Sequence, residues 1–252
     1  MSIITHELRR ALHAARPGAR ARRAWRRGES TGGYSATGFD ATRSIFVHLP
    51  KAAGVSVCRS LYGDLAGGHR TIADYQLIFS AREFRDYFKF TVVRNPWDRL
   101  YSAYRFLKSG GMSPRNRAWA EANLKDVHSF RGFVMDWLDE LRLRSYVHFI
   151  PQEALLRGRD GDHPIDFVGF YETLDADFDT LRRRVNPQAR LNHDNATPAA
   201  APRGYAEAYD AEMIARVGAL YARDVALFGY VFDNAALPTQ IARRNAGGLL
   251  SR

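Results

Sequence analysis

The 252-residue chain predicts an α/β fold, a central parallel sheet flanked by helices, on three observations. Short apolar, β-rich runs at residues 44–49 and 88–93 are each followed within a few residues by a stretch of helical period. Strands and helices alternate along the chain without an internal repeat, the pattern of parallel sheets covered on both faces. Apolar residues make up 46% of the chain and aromatics 12%, enough for a packed core and against a disordered protein.

Taken in order, residues 1–42 read as a poorly ordered, basic leader, because Pro17, Gly18 and the glycines from 28 to 38 interrupt any long helix. A short amphipathic helix through Ile4, Leu8 and Leu12 suits a membrane surface. Ser44–Leu49 is the first buried strand, 50–54 a tight loop and Val55–Tyr62 its helix. Phe88–Val93 is the second strand. Asn95 caps the next helix with Pro96 at its first position, and that helix runs to Lys108 with Leu100, Ala103, Tyr104 and Leu107 on one stripe. Residues 109–128 read as a polar connection, Phe130–Leu143 as helical, Tyr146–Ile150 and Asp166–Phe170 as short strands, and Asp177–Val185 as a helix. Residues 186–204 read as a long loop and Tyr205–Phe228 as the last helix. The folded domain is expected over 43–232, with 233–252 a C-terminal tail.

Charge and cysteine content narrow the classes of function. Lys plus Arg number 37 against 27 acids, a net charge of +10. Nine arginines against Glu7, Glu29 and Asp40 place +6 of that in residues 1–43. Such an arm is read first as solvated, with nucleic acid, anionic lipid and polyanionic substrates as rival partners. One cysteine, Cys58, excludes an intrachain disulfide framework and a Cys-rich zinc site, and no metal is expected. No apolar run approaches the roughly 18 residues of a membrane span. No apolar stretch of a signal peptide follows the first arginines, so a cytoplasmic protein is expected.

The chemistry concentrates in two strand–loop–helix segments. His48-Leu49-Pro50-Lys51-Ala52-Ala53-Gly54-Val55-Ser56 lies where open α/β sheets bind ligands, beyond the carboxyl end of a strand. Unpaired N–H groups at the helix start attract an anion, Gly54 admits close backbone approach, Lys51 supplies a point charge and Ser56 a hydroxyl. Lys51 precedes Gly54, so the order G-x-x-x-x-G-K-[ST] is absent. The second segment, Val92-Val93-Arg94-Asn95-Pro96-Trp97-Asp98-Arg99-Leu100-Tyr101-Ser102-Ala103-Tyr104, ends its strand in an arginine suited to bidentate phosphate binding. Ser102 lies two helical turns beyond it. Trp97, Tyr101 and Tyr104 at helical spacing read as core, and Cys58 as packing.

Together these segments resemble the two motifs with which carbohydrate sulfotransferases bind 3′-phosphoadenosine 5′-phosphosulfate (PAPS). That family's first motif is typically H-[IV]-P-K-[TC]-[GA]-G-[TS]-[ST], and its second carries an arginine with a serine eight residues on. Asp166-Phe167-Val168-Gly169-Phe170-Tyr171-Glu172-Thr173-Leu174 and Tyr221-x-x-Asp224-x-x-x-Phe228-Gly229-Tyr230 are similar to two further family segments, so the likeness spans residues 44–232. The resemblance implies a P-loop-NTPase-like, three-layer fold. It implies that Lys51, Ala52, Ala53, Gly54, Val55 and Ser56 hold the 5′-phosphosulfate, that Arg94 and Ser102 hold the 3′-phosphate, and that adenosine 3′,5′-bisphosphate (PAP) is the product. Ala52 departs from the usual threonine and removes one hydroxyl donor. Arg203, after the Pro-rich loop, is a candidate to close over the cofactor.

Sulfuryl transfer, like phosphoryl transfer, gathers charge on a leaving oxygen and needs a base for the acceptor hydroxyl. Gly67-Gly68-His69 is similar to the glycine–histidine segment that carries the proposed base in uronosyl sulfotransferases. His69 is the candidate base and Lys51 the candidate partner of the bridging oxygen. His48, Asp64, Asp74 and Glu83 are rivals for the base, and Glu172 a brace. The expected acceptor is a carbohydrate or other hydroxylated molecule, with no nucleic acid, and with a peripheral membrane contact through the basic N-terminus. Two other classes stay open. One is a small-molecule kinase with an atypical phosphate loop, which predicts Mg²⁺ and ATP. The other is a polyanion-binding protein acting through the arginine arm, which predicts steep salt sensitivity.

Overall fold

The computed structural model describes residues 3–15, 26, 33–192 and 204–250. They are mixed α/β, with a three-stranded parallel sheet of order β1 (Ser44–Val47), β2 (Phe88–Val93), β3 (Phe167–Phe170). Two compact units emerge, 1–93 with 154–196 and 94–153 with 197–252.

The first unit holds the whole sheet. β1 and β2 pair in parallel with Phe46 opposite Phe90, and β2 and β3 with Phe90 opposite Phe167. All four β1 residues are buried, and Phe46, Phe90, Val92 and Phe170 are at most 1% exposed. Such apolar runs require cover on both faces. Helices α1 (Ile3–Ala14), α2 (Thr37–Thr42), α3 (Gly54–Tyr62), α4 (Ile72–Ile78), α5 (Ala81–Asp86) and, after three helices of the second unit, α9 (Gln152–Leu156, shared at the boundary) and α10 (Leu174–Val185) complete it. At the end of β3, Asp177 accepts from the Phe170 N–H at 2.7 Å and from Thr173 Oγ1 at 2.9 Å. That bond explains why an aspartate follows the Asp166–Leu174 segment.

Parts of the leader are folded. Ile3–Ala14 is the helix suggested by Ile4, Leu8 and Leu12, and α2 leads directly into β1. The expected looseness of residues 1–42 therefore does not hold at these two places. Helices α4 and α5, which the sequence reading passed over, begin in capping boxes: Thr71 with Asp74, and Ser80 with Glu83.

The second unit is helical: α6 (Pro96–Lys108), α7 (Pro114–Leu124), α8 (Phe130–Gly132) continuing as a π turn over Phe133–Trp137, α11 (Ala211–Leu220), α12 (Ala222–Phe228) and α13 (Leu237–Asn245). Asn95 caps α6 as expected, its Oδ1 accepting from the Trp97 N–H at 3.0 Å. Trp97 is 5% and Tyr104 9% exposed, so both are core, as expected.

Four expectations change here. Residues 109–128 contain α7, with Ser113 as cap and Pro114 at its first position. Tyr146–Ile150 is not a strand. Its carbonyls go to side chains instead of a ladder: Arg99 donates to His148 at 3.2 Å and to Ile150 at 2.6 Å, and Tyr221 to Phe149 at 2.7 Å. The last helix is divided, because Asp210 caps α11 and the chain breaks again at Tyr221. Residues 233–252 are not only a tail, since α13 lies within them, anchored by Gln240 Nε2 donating to the Phe228 carbonyl at 2.8 Å. The long loop is described only over 186–192 and at Gly204, and Arg203 lies outside the described residues. No helix among the described residues is long and apolar enough to cross a membrane.

Candidate functional site

Within the first unit, β1 ends at Val47 and α3 starts at Gly54, so His48–Ala53 form the connection that the sequence marked. Its backbone is held in the left-handed region at two non-glycine residues, Lys51 (φ 67°) and Ala53 (φ 59°). Left-handed backbone at such residues costs on the order of 1–3 kcal/mol and gathers at ligand sites. Turns of this kind aim successive N–H groups into a concave anion cradle. Ala53 precedes the first turn of α3, where no side chain caps the N–H groups. Ala52 is fully buried and Ser56 7% exposed, whereas Lys51 and Val55 are half-buried. Lys51 is the one cationic residue of this connection.

Gly54 has a reason beyond ligand approach. A Cβ there would lie 1.8 Å from His48 Cδ2 and 2.0 Å from Nε2. The imidazole occupies the space a side chain would need, which couples the first and seventh residues of the motif. Gly54→Ala is expected to push His48 out of place and lower the thermal midpoint by a strain of about 1–3 kcal/mol. A midpoint equal to wild type would show the contact to be soft.

His48 is 5% exposed, stacked on Phe46 at 5.7 Å, with Nδ1 3.9 Å from the buried Cys58 Sγ. Its ring meets that of His69 edge-on at 4.3 Å, and its carbonyl oxygen accepts from His69 Nδ1 at 3.1 Å. With Nδ1 as the donor, the basic lone pair of His69 is on Nε2. Removal from water pushes the His69 pKa below the ordinary histidine value, and the Lys51 charge pushes the same way against the bond to His48. Lys51 and His69, proposed from separate segments, are therefore electrostatic neighbours.

The His69 loop is tight. A Cβ on Gly67 would meet Tyr75 Oη at 1.8 Å, Gly68 has φ 61°, and Asp64 Oδ1 accepts from the Ala66 N–H at 2.7 Å. The glycines serve packing and turn, not mobility. Among the rival bases, Asp74 is held in its capping box. Burial opposes ionisation of Glu83, but bonds from Arg26 and Ser80 bring it down to about 2, too weak a base for a hydroxyl. Asp64 is raised by burial and stands on the wall of a cavity of about 490 Å³ shared with Tyr34, Ser35, Thr37 and Tyr62. That cavity adjoins the His69 loop: Ser35 donates to the Ala66 carbonyl at 3.1 Å, and a Cβ on Gly68 would touch the Tyr34 ring at 3.1 Å.

The second segment opens the other unit. Arg94 folds along α6 onto Asp98, with both bonds at 2.8 Å. Ser102 is half-buried, two turns further on the same helix. The backbone of Arg94 is clamped by Gln152, whose Oε1 accepts from its N–H at 2.9 Å and whose Nε2 donates to its carbonyl at 2.8 Å. Gln152 is oriented in turn by fully buried Asp224, which accepts from the Gln152 and Glu153 N–H groups at 2.9 and 2.8 Å. Sequence reasoning missed Asp98 and Gln152. An acid four residues after an arginine on a helix was the available signal for the first; nothing local marks the second. Glu172 stands in the 3₁₀ turn directly after β3.

A family model described as the sulfotransferase family matches residues 64–231, about two thirds of the chain. The matched stretch includes His69, Arg94, Ser102 and Asp224 but begins after the Lys51 loop. No curated protein and no solved structure matches.

Proposed function

The chain belongs to the sulfotransferase family, and from that premise we propose that it moves the sulfuryl group of PAPS to a hydroxyl of a carbohydrate or glycolipid, leaving PAP. One observation carries this reading: a left-handed, uncapped anion cradle bearing Lys51 stands in the same unit as a histidine fixed in the tautomer of a base. PAPS, when bound, supplies a sulfur electrophile with a phosphate oxygen as leaving group. Lys51 and the N–H groups of Gly54, Val55 and Ser56 stabilise charge growing on that oxygen. His69 Nε2 takes the proton from the acceptor hydroxyl. Arg94 and Ser102 hold the 3′-phosphate, with the Asp224–Gln152 relay fixing the backbone from which Arg94 projects.

The carbohydrate reading draws on the cavity next to the His69 loop. Its wall combines the aromatic Tyr34 and Tyr62 with Ser35, Thr37 and Asp64, the mixture of apolar and polar groups that suits an alternately apolar and hydroxylated sugar. Thermal unfolding tests the donor. PAP is expected to raise the midpoint at micromolar concentration without metal, and ATP with Mg²⁺ to leave it unchanged. Stabilisation by ATP with Mg²⁺ and none by PAP would replace this reading with a kinase.

A further inference from the structure

Helix α1 is turned the opposite way to an ordinary surface helix, which faces its apolar stripe inward. Its polar side is docked. His6 is 3% exposed and Nε2 donates to the Phe79 carbonyl at 3.1 Å, Glu7 accepts from the Ala81 N–H at 2.7 Å, and Arg9 pairs with Asp160 at 3.0 Å. These anchors fix the rotation of the helix about its axis. At 3.6 residues per turn, Ile4, Leu8 and Leu12 then fall on the far side. They are 80%, 59% and 62% exposed, and Ala11 and Ala15 on the same strip are exposed as well. A continuous apolar strip held outward by polar anchors marks an interaction surface.

We infer that α1 seats this protein on an anionic phospholipid bilayer, with Ile4, Leu8 and Leu12 entering the boundary between headgroups and acyl chains. Charge selects this occupant. The first 43 residues carry nine arginines against three acids; Arg9, Arg10 and Arg26 are ion-paired within the protein, and each of the other basic residues that comes near an anionic leaflet adds about 1 kcal/mol of attraction. Size argues against a second copy. A twelve-residue helix covers on the order of 200 Å² of a flat surface, well below the roughly 800 Å² per partner of a stable protein interface. A bilayer sets no such minimum, because a few buried apolar side chains and electrostatic attraction act together. The result is a protein held in the plane where a lipid-linked acceptor is found.

Vesicle co-sedimentation of the full chain tests the inference without reference to sulfuryl transfer. Wild type is expected to sediment with vesicles of equal phosphatidylcholine and phosphatidylglycerol, to stay in solution with phosphatidylcholine alone, and to be released by salt. Leu8→Gln with Leu12→Gln is expected to weaken binding at least about tenfold, with an unchanged unfolding midpoint because both side chains are outside the core. Ile4→Gln serves as a second variant should the pair misfold. Wild type left in the supernatant with anionic vesicles, or variants that bind equally well, would overturn the inference. A lipid-free dimer that the variants dissociate would overturn it too, assigning the strip to a second copy.

Discussion

Lys51→Ala lowers turnover about 10²- to 10³-fold, the loss typical of one preorganised donor aimed at developing charge. The substitution keeps a non-glycine residue at φ 67°, so the loop is under the same backbone strain and the unfolding midpoint holds. The deficit is expected in kcat more than in acceptor KM, because the proposed role sets the ammonium on the leaving oxygen and not on the acceptor. Lys51→Arg restores little, since a planar fork does not replace a compact point charge on a short loop. Initial rates with a small hydroxylated acceptor measure the effect. Activity of Lys51→Ala within a few-fold of wild type would remove the ammonium from the reaction.

If His69 is the proposed base, His69→Ala is expected to lower kcat about 10²- to 10⁴-fold, the usual contribution of a general base, and to keep the thermal shift expected from PAP. That split separates a base from a donor-binding residue. The pH profile adds a sign. A base works in its neutral form, and burial with the Lys51 charge depresses the His69 pKa below 6.5. Activity therefore persists as pH falls through the ordinary histidine value and is lost only further down. In Lys51→Ala, one of the two depressing influences is gone, so the acidic limb of the remaining activity moves up. Asp64→Asn is the control: its carboxyl is raised by burial, and a loss there with an active His69→Ala would pass the role to Asp64.

How far the sequence could be read depended on how local the cause was. β1, β2 and α6 were legible because a buried β-branched run, an Asn cap and a proline at the first helical position act within a few residues. Tyr146–Ile150 carries the same apolar signal as a strand, yet its carbonyls are claimed by Arg99 and Tyr221 from 49 to 72 residues away. Helix α7 has only Ala120 and Leu124 buried, so its apolar period was too weak to register. Helices α4 and α5 carried their signal in capping boxes, a polar cue the apolar pattern does not contain. That Lys51 and His69 lie on loops and Gly54 at a helix start was legible from residue type and position. The pairing of His48 with Gly54 was not, since it depends on a ring filling the volume of a missing Cβ.

The clamp on Arg94 has a bearing on biosynthesis. Its supports are far downstream: Asp224 meets Gln152 across 72 residues, and Asn95 binds the Phe232 carbonyl across 137. A nascent polypeptide emerging from the ribosome has the Lys51 turn and the first two strands long before the residues that steady Arg94 are made. Chains stalled or proteolysed ahead of residue 224 therefore carry the Lys51 turn without the contacts that fix the backbone of Arg94, and termination before that point is expected to leave the clamp incomplete.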